Sequence, residues 1–201
     1  MPDEGVDESK RSTLRRFAAV GAVSPLARFQ SDDRSDSDAP DAIAGYVAAT
    51  PGAHFSKLRD DLKLGTGEAQ HHLRRLVRAG AVETRKDGDY RRYFPADQFS
   101  EFEQVALGYL RRETPRGMLI ALLRDPTLTA GGLAEQLDVS APTVSKYASE
   151  LEAADLLSRA DGYAVEHPET VTLLLVRYAD SFGPAATQLA AEADQLLTYD
   201  R

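Results

Sequence analysis

The sequence contains no cysteine and no tryptophan, and only five of its 24 basic residues are lysine. Without cysteine the chain cannot form disulfides, thiolate metal sites or a cysteine nucleophile. Its apolar runs are far shorter than the roughly 20 residues that a bilayer-spanning helix needs. We therefore expect a cytoplasmic protein with no membrane partner.

Catalytic motifs are also lacking. The sequence has no Gly-rich phosphate loop and no Gly-x-Ser-x-Gly elbow. His71 and His72 are adjacent, so on a helix their side chains point about 100° apart and do not easily share one ion. No His-x-x-x-His pair occurs. We therefore predict a protein that is not an enzyme and uses no metal or other cofactor, and the sequence does not indicate an effector ligand.

What the sequence does contain is an internal repeat with a period of 75 residues. Residues 40–82 align with residues 115–157 without a gap, and only six of the 43 aligned positions are identical. The apolar register is better preserved: Leu58 aligns with Leu133, Leu62 with Leu137, Leu64 with Val139, Leu76 with Leu151 and Val82 with Leu157. A repeat that keeps its core and changes its surface indicates one fold used twice.

Each copy has the pattern helix, helix, turn, helix and short hairpin, which is typical of a winged helix-turn-helix. We predict a mostly α fold with short β-hairpin wings: two tandem winged helix-turn-helix domains plus C-terminal helices. The predicted boundaries are an N-terminal segment (1–39, largely disordered with one short apolar helix), domain 1 (40–99), a connecting helix (100–114), domain 2 (115–168) and C-terminal helices (169–201).

In the first copy, helices are predicted over 41–49, 55–62 and 66–79, with Thr66 as the N-cap of the third helix and Gly80 ending it. Strands over 82–86 and 90–94 flank Asp87-Gly88, a strong hairpin signal. In the second copy, Pro115 is predicted to open the first helix (115–124). Its other helices are predicted over 130–137 and 141–154, with Ser140 capping the latter.

The two ends of the chain leave alternatives open. Arg15-Arg16-Phe17, before a short apolar stretch, resembles a twin-arginine export signal, although the stretch is only about ten residues. The alternative, which we favour, is an amphipathic helix that docks through Leu14 and Phe17. At the other end, Leu189, Ala193 and Leu196 form an apolar stripe, which either closes a homodimer, the alternative that we favour, or folds back onto the connecting helix at Phe102, Val105 and Tyr109.

The charge is unevenly distributed. The formal net charge is −8, yet residues 54–94 carry ten Lys or Arg against six Asp or Glu, whereas residues 115–165 carry four against seven. The positive potential that double-stranded DNA would require therefore lies on the first copy. The acid-rich, lysine-poor composition resembles that of proteins from halophilic archaea, in whose molar salt the Debye length shrinks to about 3 Å.

The third helix of the first copy is the predicted recognition helix. A helix fits the major groove of B-DNA, where base edges carry the sequence code. We predict that Gln70, His71 and Arg74 contact bases and that Arg75 and Arg78 contact phosphates. In the wing we predict phosphate or minor-groove contacts from Arg85, Lys86, Tyr90, Arg91 and Arg92.

The equivalent helix of the second copy offers Thr143, Ser145 and Lys146. Only one of these residues is cationic, so this copy either reads bases through hydroxyl groups or packs against protein. We include these three residues, together with Thr66, among the candidate DNA contacts.

Two segments resemble known regulators. HFSKLRDDLKLGTGEAQHHLRRL (54–76) is similar to haloarchaeal winged-helix transcriptional regulators, and LDVSAPTVSKY (137–147) is similar to the turn and recognition helix of MarR- and ArsR-type regulators. The resemblance implies sequence-specific DNA binding, usually as a dimer, and transcriptional control. The rival hypothesis is a scaffold, because the winged-helix subunit of bacterial condensin is also small, acidic and built from two winged helices that grip a partner protein.

Overall fold

The structure is a computed structural model that describes residues 4–22 and 38–196. The chain divides into two compact units, Met1–Ser100 and Glu101–Arg201. Each unit contains one copy of the repeat. The winged helix-turn-helix fold predicted from the sequence is confirmed in both units.

Unit 1 has four helices and a three-stranded antiparallel sheet among its described residues. The strand order in the sheet is β1-β3-β2. The elements are α1 (Glu4–Ala22), α2 (Ala39–Ala49), β1 (Ala53–His54), α3 (Phe55–Asp61), α4 (Thr66–Arg78), β2 (Val82–Asp87) and β3 (Tyr90–Pro95).

Unit 2 follows the same plan with a shorter wing and additional helices. Its two-stranded sheet pairs Leu157 with Val165 and Ser158 with Ala164. The elements are α5 (Glu101–Leu110), α6 (Glu113–Arg124), α7 (Ala130–Gln136), α8 (Ala141–Ala153), β4 (Leu157–Ser158), β5 (Ala164–Val165), α9 (Pro168–Arg177), α10 (Ala179–Phe182) and α11 (Pro184–Leu196).

The repeat predicted from the sequence is confirmed in the backbone. Helices α3 and α4 begin and end 75 residues before α7 and α8, respectively. The turn between the two helices contains a left-handed residue at the same place in each copy, Lys63 with φ 55° and Asp138 with φ 52°. Left-handed residues also follow the third helix at equivalent positions, Gly80 and Asp155. The two copies therefore share the geometry of the turn as well as the apolar register.

The shared apolar positions form the cores. Leu58, Leu62 and Leu73 are buried in unit 1, and Leu133 and Leu151 are buried in unit 2. Burying one such side chain contributes about 1.5–3 kcal/mol. Because these residues recur every three or four positions, they fix which face of α4 and α8 points inward and which face is left for solvent.

The N-terminal segment differs from its prediction. The predicted segment 1–39 was expected to be largely disordered with one short apolar helix, yet α1 spans Glu4–Ala22 and includes the polar residues at its start. Leu14 is buried in the core of unit 1, and the Phe17 ring meets the Tyr46 ring edge-on with centroids 5.2 Å apart. This packing agrees with the docked amphipathic helix.

Four local predictions are wrong by a few residues. Gly65 rather than Thr66 is the N-cap of α4, because Gly65 has an extended backbone and Thr66 is already helical. The Gly65 N–H donates to the Glu68 carboxylate at 3.3 Å. The predicted connecting helix ends at Leu110, and α6 begins at Glu113, before Pro115. The wing turn is Gly88-Asp89, since Asp87 still pairs with Tyr90.

The C-terminal helix packs within its own unit. Helix α11 lies against α6, α9 and α10. Leu189 is fully buried, and Arg124 of α6 donates to the Glu192 carboxylate at 3.0 Å. The side chains of the predicted stripe at 193 and 196 lie outside the described residues. Leu189 is therefore not available to a second subunit.

Candidate nucleic-acid interface

The outward face of α4 is set by what the helix buries. Ala69 and Leu73 point into the core of unit 1. Five of the predicted contacts lie outside this buried stripe and are exposed: Thr66, Gln70, His71, Arg74 and Arg78. Arg75 is half-buried at the edge of this face. Apart from Glu68 in its first turn, α4 carries no acidic side chain.

The wing divides its cations between two faces. Lys86 lies opposite Arg91, and Arg85 lies opposite Arg92. Directly opposed residues of an antiparallel pair share a face, and successive residues alternate. Arg91 borders the cavity against α4, so Lys86 shares the α4 side of the wing. Arg85 and Tyr90 lie on the other face.

Arg92 is not a surface cation, and its prediction as a DNA contact is wrong. Its side chain is only 4% exposed; it forms an ion pair with Asp87 and donates to the Gly52 carbonyl oxygen at 2.8 Å. Gly52 is buried and Asp87 is partly buried, so the guanidinium faces the interior of the unit instead of solvent. Arg92 therefore has a structural role.

A cavity of about 280 Å³ separates α4 from the wing. Its floor is apolar and its rim is cationic, which places three guanidinium groups around one depression. The lining residues are Phe55, Gln70, Leu73, Arg74, Val77, Arg78, Thr84, Arg91 and Tyr93. Burial raises the pKa of the Tyr93 phenol against the opposing effect of Arg91 and Arg74, so the phenol stays neutral. Phe55, Thr84 and Tyr93 were not predicted from the sequence, although the alternation of β2 and β3 places Thr84 and Tyr93 on the face of Arg91.

The far face of the wing carries an aromatic pair. Tyr90 is 53% exposed, and its ring lies 4.9 Å from that of His54. The Nδ1 of His54 accepts the backbone N–H of Lys57 at 3.3 Å and so caps α3. Burial, with Arg92 and Lys57 nearby, lowers the pKa of His54. The neutral imidazole is the form that can accept this capping hydrogen bond.

Unit 2 presents a different surface at the equivalent helix. The Thr143 hydroxyl lies 2.8 Å from that of Ser140, the N-cap of α8, whereas Ser145 and Lys146 are exposed. Lys146 lies 3.9 Å from the Glu150 carboxylate. Arg159, which follows the short strand β4, donates to Glu152 at 2.8 Å. The cations on this surface are therefore matched by carboxylates of α8 itself.

The described part of the chain contains neither a candidate metal centre nor a membrane-spanning helix. No group of three or more His, Cys, Asp or Glu side chains there is arranged to hold a metal ion. The rings of His71 and His72 lie at 82° to each other, consistent with adjacent helical residues. None of the described helices is long and apolar enough to cross a membrane.

Comparisons with known proteins agree with this geometry. Residues 37–107 match a family model described as an N-terminal HTH (helix-turn-helix) domain. Residues 111–158 match a second family model, described as winged helix-turn-helix DNA-binding. The two matches contain α2–α4 with the first wing and α6–α8, respectively.

A curated relative is similar over much of the chain. It is an uncharacterised HTH-type transcriptional regulator of Methanocaldococcus jannaschii, 28% identical over 148 residues. The aligned segment covers 71% of this chain but only 37% of that relative. Together these matches support a DNA-binding regulator: the chain carries two tandem helix-turn-helix domains of the kind found in such proteins.

Proposed function

We propose that the protein is a sequence-specific transcriptional regulator that reads duplex DNA through unit 1. The observation that carries the proposal is the convergence of two basic elements: Arg74 and Arg78 on α4 and Arg91 on the wing border one depression. Helix α4 fits the major groove, and a basic hairpin beside it suits the phosphate backbone. A surface used only to grip protein would not need this arrangement.

The proposed roles follow position along α4. Residues near the start of a recognition helix approach base edges, so Gln70, His71 and Arg74 read bases. Thr66 lies at the helix N-terminus, where hydroxyl and backbone N–H groups suit a phosphate. Arg75 and Arg78, later in the helix, contact the backbone.

In the wing, Lys86 and Arg91 contact phosphates beside α4. They share the strand face toward the recognition helix, and both are exposed. Arg85 and Tyr90, on the opposite face, are assigned to a neighbouring stretch of backbone or minor groove. Arg92 is left out because it is buried.

For unit 2 the paired cations favour a protein-binding role over a DNA-binding one. Lys146 and Arg159 each face a carboxylate of α8, which reduces the charge available to phosphates. Thr143, Ser145 and Lys146 remain candidate base contacts. Alanine substitution at Ser145 and Lys146 decides between the two roles: an unchanged binding-site preference supports the protein-binding role, and a changed preference supports base reading by α8.

We further propose that the regulator is a homodimer in the cytoplasm, in the manner of MarR- and ArsR-type regulators. A two-fold dimer places two recognition helices on half-sites about one helical turn apart. Because Leu189 is buried in its own unit, it is not part of the proposed dimer surface. Light scattering at micromolar concentration tests this directly: a dimeric mass agrees, and a monomeric mass contradicts it.

The composition supports function in concentrated salt, as in haloarchaea. Selection of bound sequences from a random duplex pool in high potassium chloride tests the proposed function as a whole. We expect one enriched motif, because base contacts retain their discrimination when screening weakens phosphate contacts. Recovery of no motif from a pool that binds would instead support a non-specific or scaffolding role.

A further inference from the structure

Helix α4 has two flanks, and the wing occupies only one of them. Gln70 and Arg74 border the cavity against the wing. At 3.6 residues per turn, Glu68 lies about 160° around the helix from Gln70. Glu68 therefore marks the flank of α4 that faces away from the wing.

The N-terminal helix reaches this second flank. The Nζ of Lys10 in α1 lies 3.0 Å from the Glu68 carboxylate. Lys10 is one turn before Leu14 and so lies on the side of α1 that docks on the unit. Leu14 is buried, and the Phe17 ring contacts that of Tyr46. These apolar contacts hold Lys10 beside the first turn of the recognition helix.

The ion pair between Lys10 and Glu68 leaves this flank of α4 without an uncompensated negative charge that would repel DNA. Glu68 is the acidic residue of α4, and an uncompensated carboxylate there would repel phosphates. Lys10 neutralises it and, because an ammonium group has three donors, keeps donors for another acceptor. The side chains of Lys10 and Glu68 are 30% and 33% exposed, respectively, so the pair borders solvent.

The shape of DNA places phosphates on both flanks of a helix that lies in the major groove. A helix in the major groove lies between two phosphate backbones, because that groove is about 12 Å wide. Lys86 and Arg91 of the wing lie on one side of α4. The exposed cations of α1, Arg11, Arg15 and Arg16, add positive potential near the other side of unit 1.

From this arrangement we propose that α1 is a second DNA-contacting flank of unit 1, in which Lys10 contacts the phosphate backbone opposite the wing while it neutralises Glu68. The proposal rests on the proposed DNA binding by α4. It assigns a binding role to a helix outside the winged helix-turn-helix itself.

The test uses the full chain, a mixed-sequence DNA duplex and fluorescence anisotropy over a range of salt concentrations. Lys10→Gln removes the charge and keeps much of the side chain. We expect a several-fold lower affinity and a salt dependence, log K against log [salt], that is shallower by about 0.9, the value for one lost phosphate contact. Lys10→Arg keeps the charge and is expected to keep the slope. Arg177→Ala, an exposed cation of unit 2, controls for the change in net charge.

The double variant Lys10→Gln with Glu68→Gln distinguishes a direct contact of Lys10 with phosphate from its neutralisation of the Glu68 carboxylate. Gln at 68 still offers an oxygen to the Gly65 N–H, so the α4 cap is retained. If Lys10 contacts phosphate, the double variant keeps the shallower slope. A wild-type slope in Lys10→Gln, or its restoration in the double variant, overturns the proposal. A wild-type chain that binds no duplex DNA overturns the proposed function instead, and far-UV circular dichroism checks that each variant is folded.

Discussion

Arg91 and Arg92 are neighbours in the sequence with opposite environments. Arg91 is exposed beside the recognition helix, whereas Arg92 is buried between Asp87 and the Gly52 carbonyl. The alternation of a strand requires that adjacent side chains point to opposite faces, so both could not lie on one DNA-facing surface. The sequence alone did not decide which of the two points inward, because that depends on β1 pairing with β3 and bringing Gly52 close.

Alanine substitution of Arg92 is therefore expected to lower the stability of the unit, whereas substitution of Arg91 is not. Arg92→Ala removes the ion pair with Asp87 and the hydrogen bond to the buried Gly52 carbonyl oxygen, and we expect the free energy of unfolding of the unit to fall by about 2–3 kcal/mol. Arg91→Ala removes an exposed side chain and is expected to change stability by less than about 0.5 kcal/mol. Urea unfolding of both variants measures this, and equal stability would contradict the structural role of Arg92.

At Arg74 the expected loss is of base discrimination. Arg74→Ala is expected to weaken binding by about 1–3 kcal/mol and to relax the preference at one base pair, because a bidentate contact to guanine is lost. Arg75→Ala, at the edge of the same face, is the matched control and should weaken all sequences alike. Selection from a random pool compares the motifs, and an unchanged motif in Arg74→Ala would count against base reading by this residue.

At the scale of elements, the apolar spacing was enough to predict α3, α4, α7 and α8 to within a residue or two. Their core leucines recur at helical spacing, and that signal does not depend on the rest of the chain. Left-handed Lys63 was not predictable, since lysine has no preference for that conformation and the turn imposes it. The contact between Lys10 and Glu68, 58 positions apart, likewise depends on tertiary packing.

The His54 cap of α3 makes the stability of unit 1 sensitive to pH. Its pKa is lowered from the usual 6.5 in the folded state, so as pH falls the unfolded chain takes up the proton first. The stabilisation is fully present above about pH 6.5 and is lost as pH falls from there through the folded pKa. We expect the urea midpoint of unit 1 to fall over this range.

His54→Asn is the matched variant for this effect. Asn is a good N-cap that does not titrate, so the fall in stability below about pH 6.5 should become smaller. Some dependence should remain, because burial also lowers the pKa of His72. An identical pH profile for the variant and the wild-type chain would show that the His54 cap does not cause the dependence.

At the scale of the whole molecule, one fold is used twice with different surfaces. The backbones of the two copies agree even in their left-handed turns, while the charges diverge. Unit 1 presents exposed Arg74, Arg78 and Arg91, whereas Lys146 and Arg159 of unit 2 face carboxylates. A net charge of −8 therefore does not exclude DNA binding. In concentrated salt the distant acidic residues are screened, so the local positive surface of unit 1 determines whether DNA binds.

We propose that the chain binds DNA through α4 of unit 1. The most direct measurement is the affinity of the full chain for a mixed-sequence duplex, compared between Arg74→Ala/Arg78→Ala and Ser145→Ala/Lys146→Ala. We predict that the first pair weakens binding at least tenfold, which corresponds to about 1.4 kcal/mol, and that the second pair leaves it within about twofold. The reverse order, or equal affinity of the Arg74→Ala/Arg78→Ala variant and the wild-type chain, would contradict DNA binding through α4.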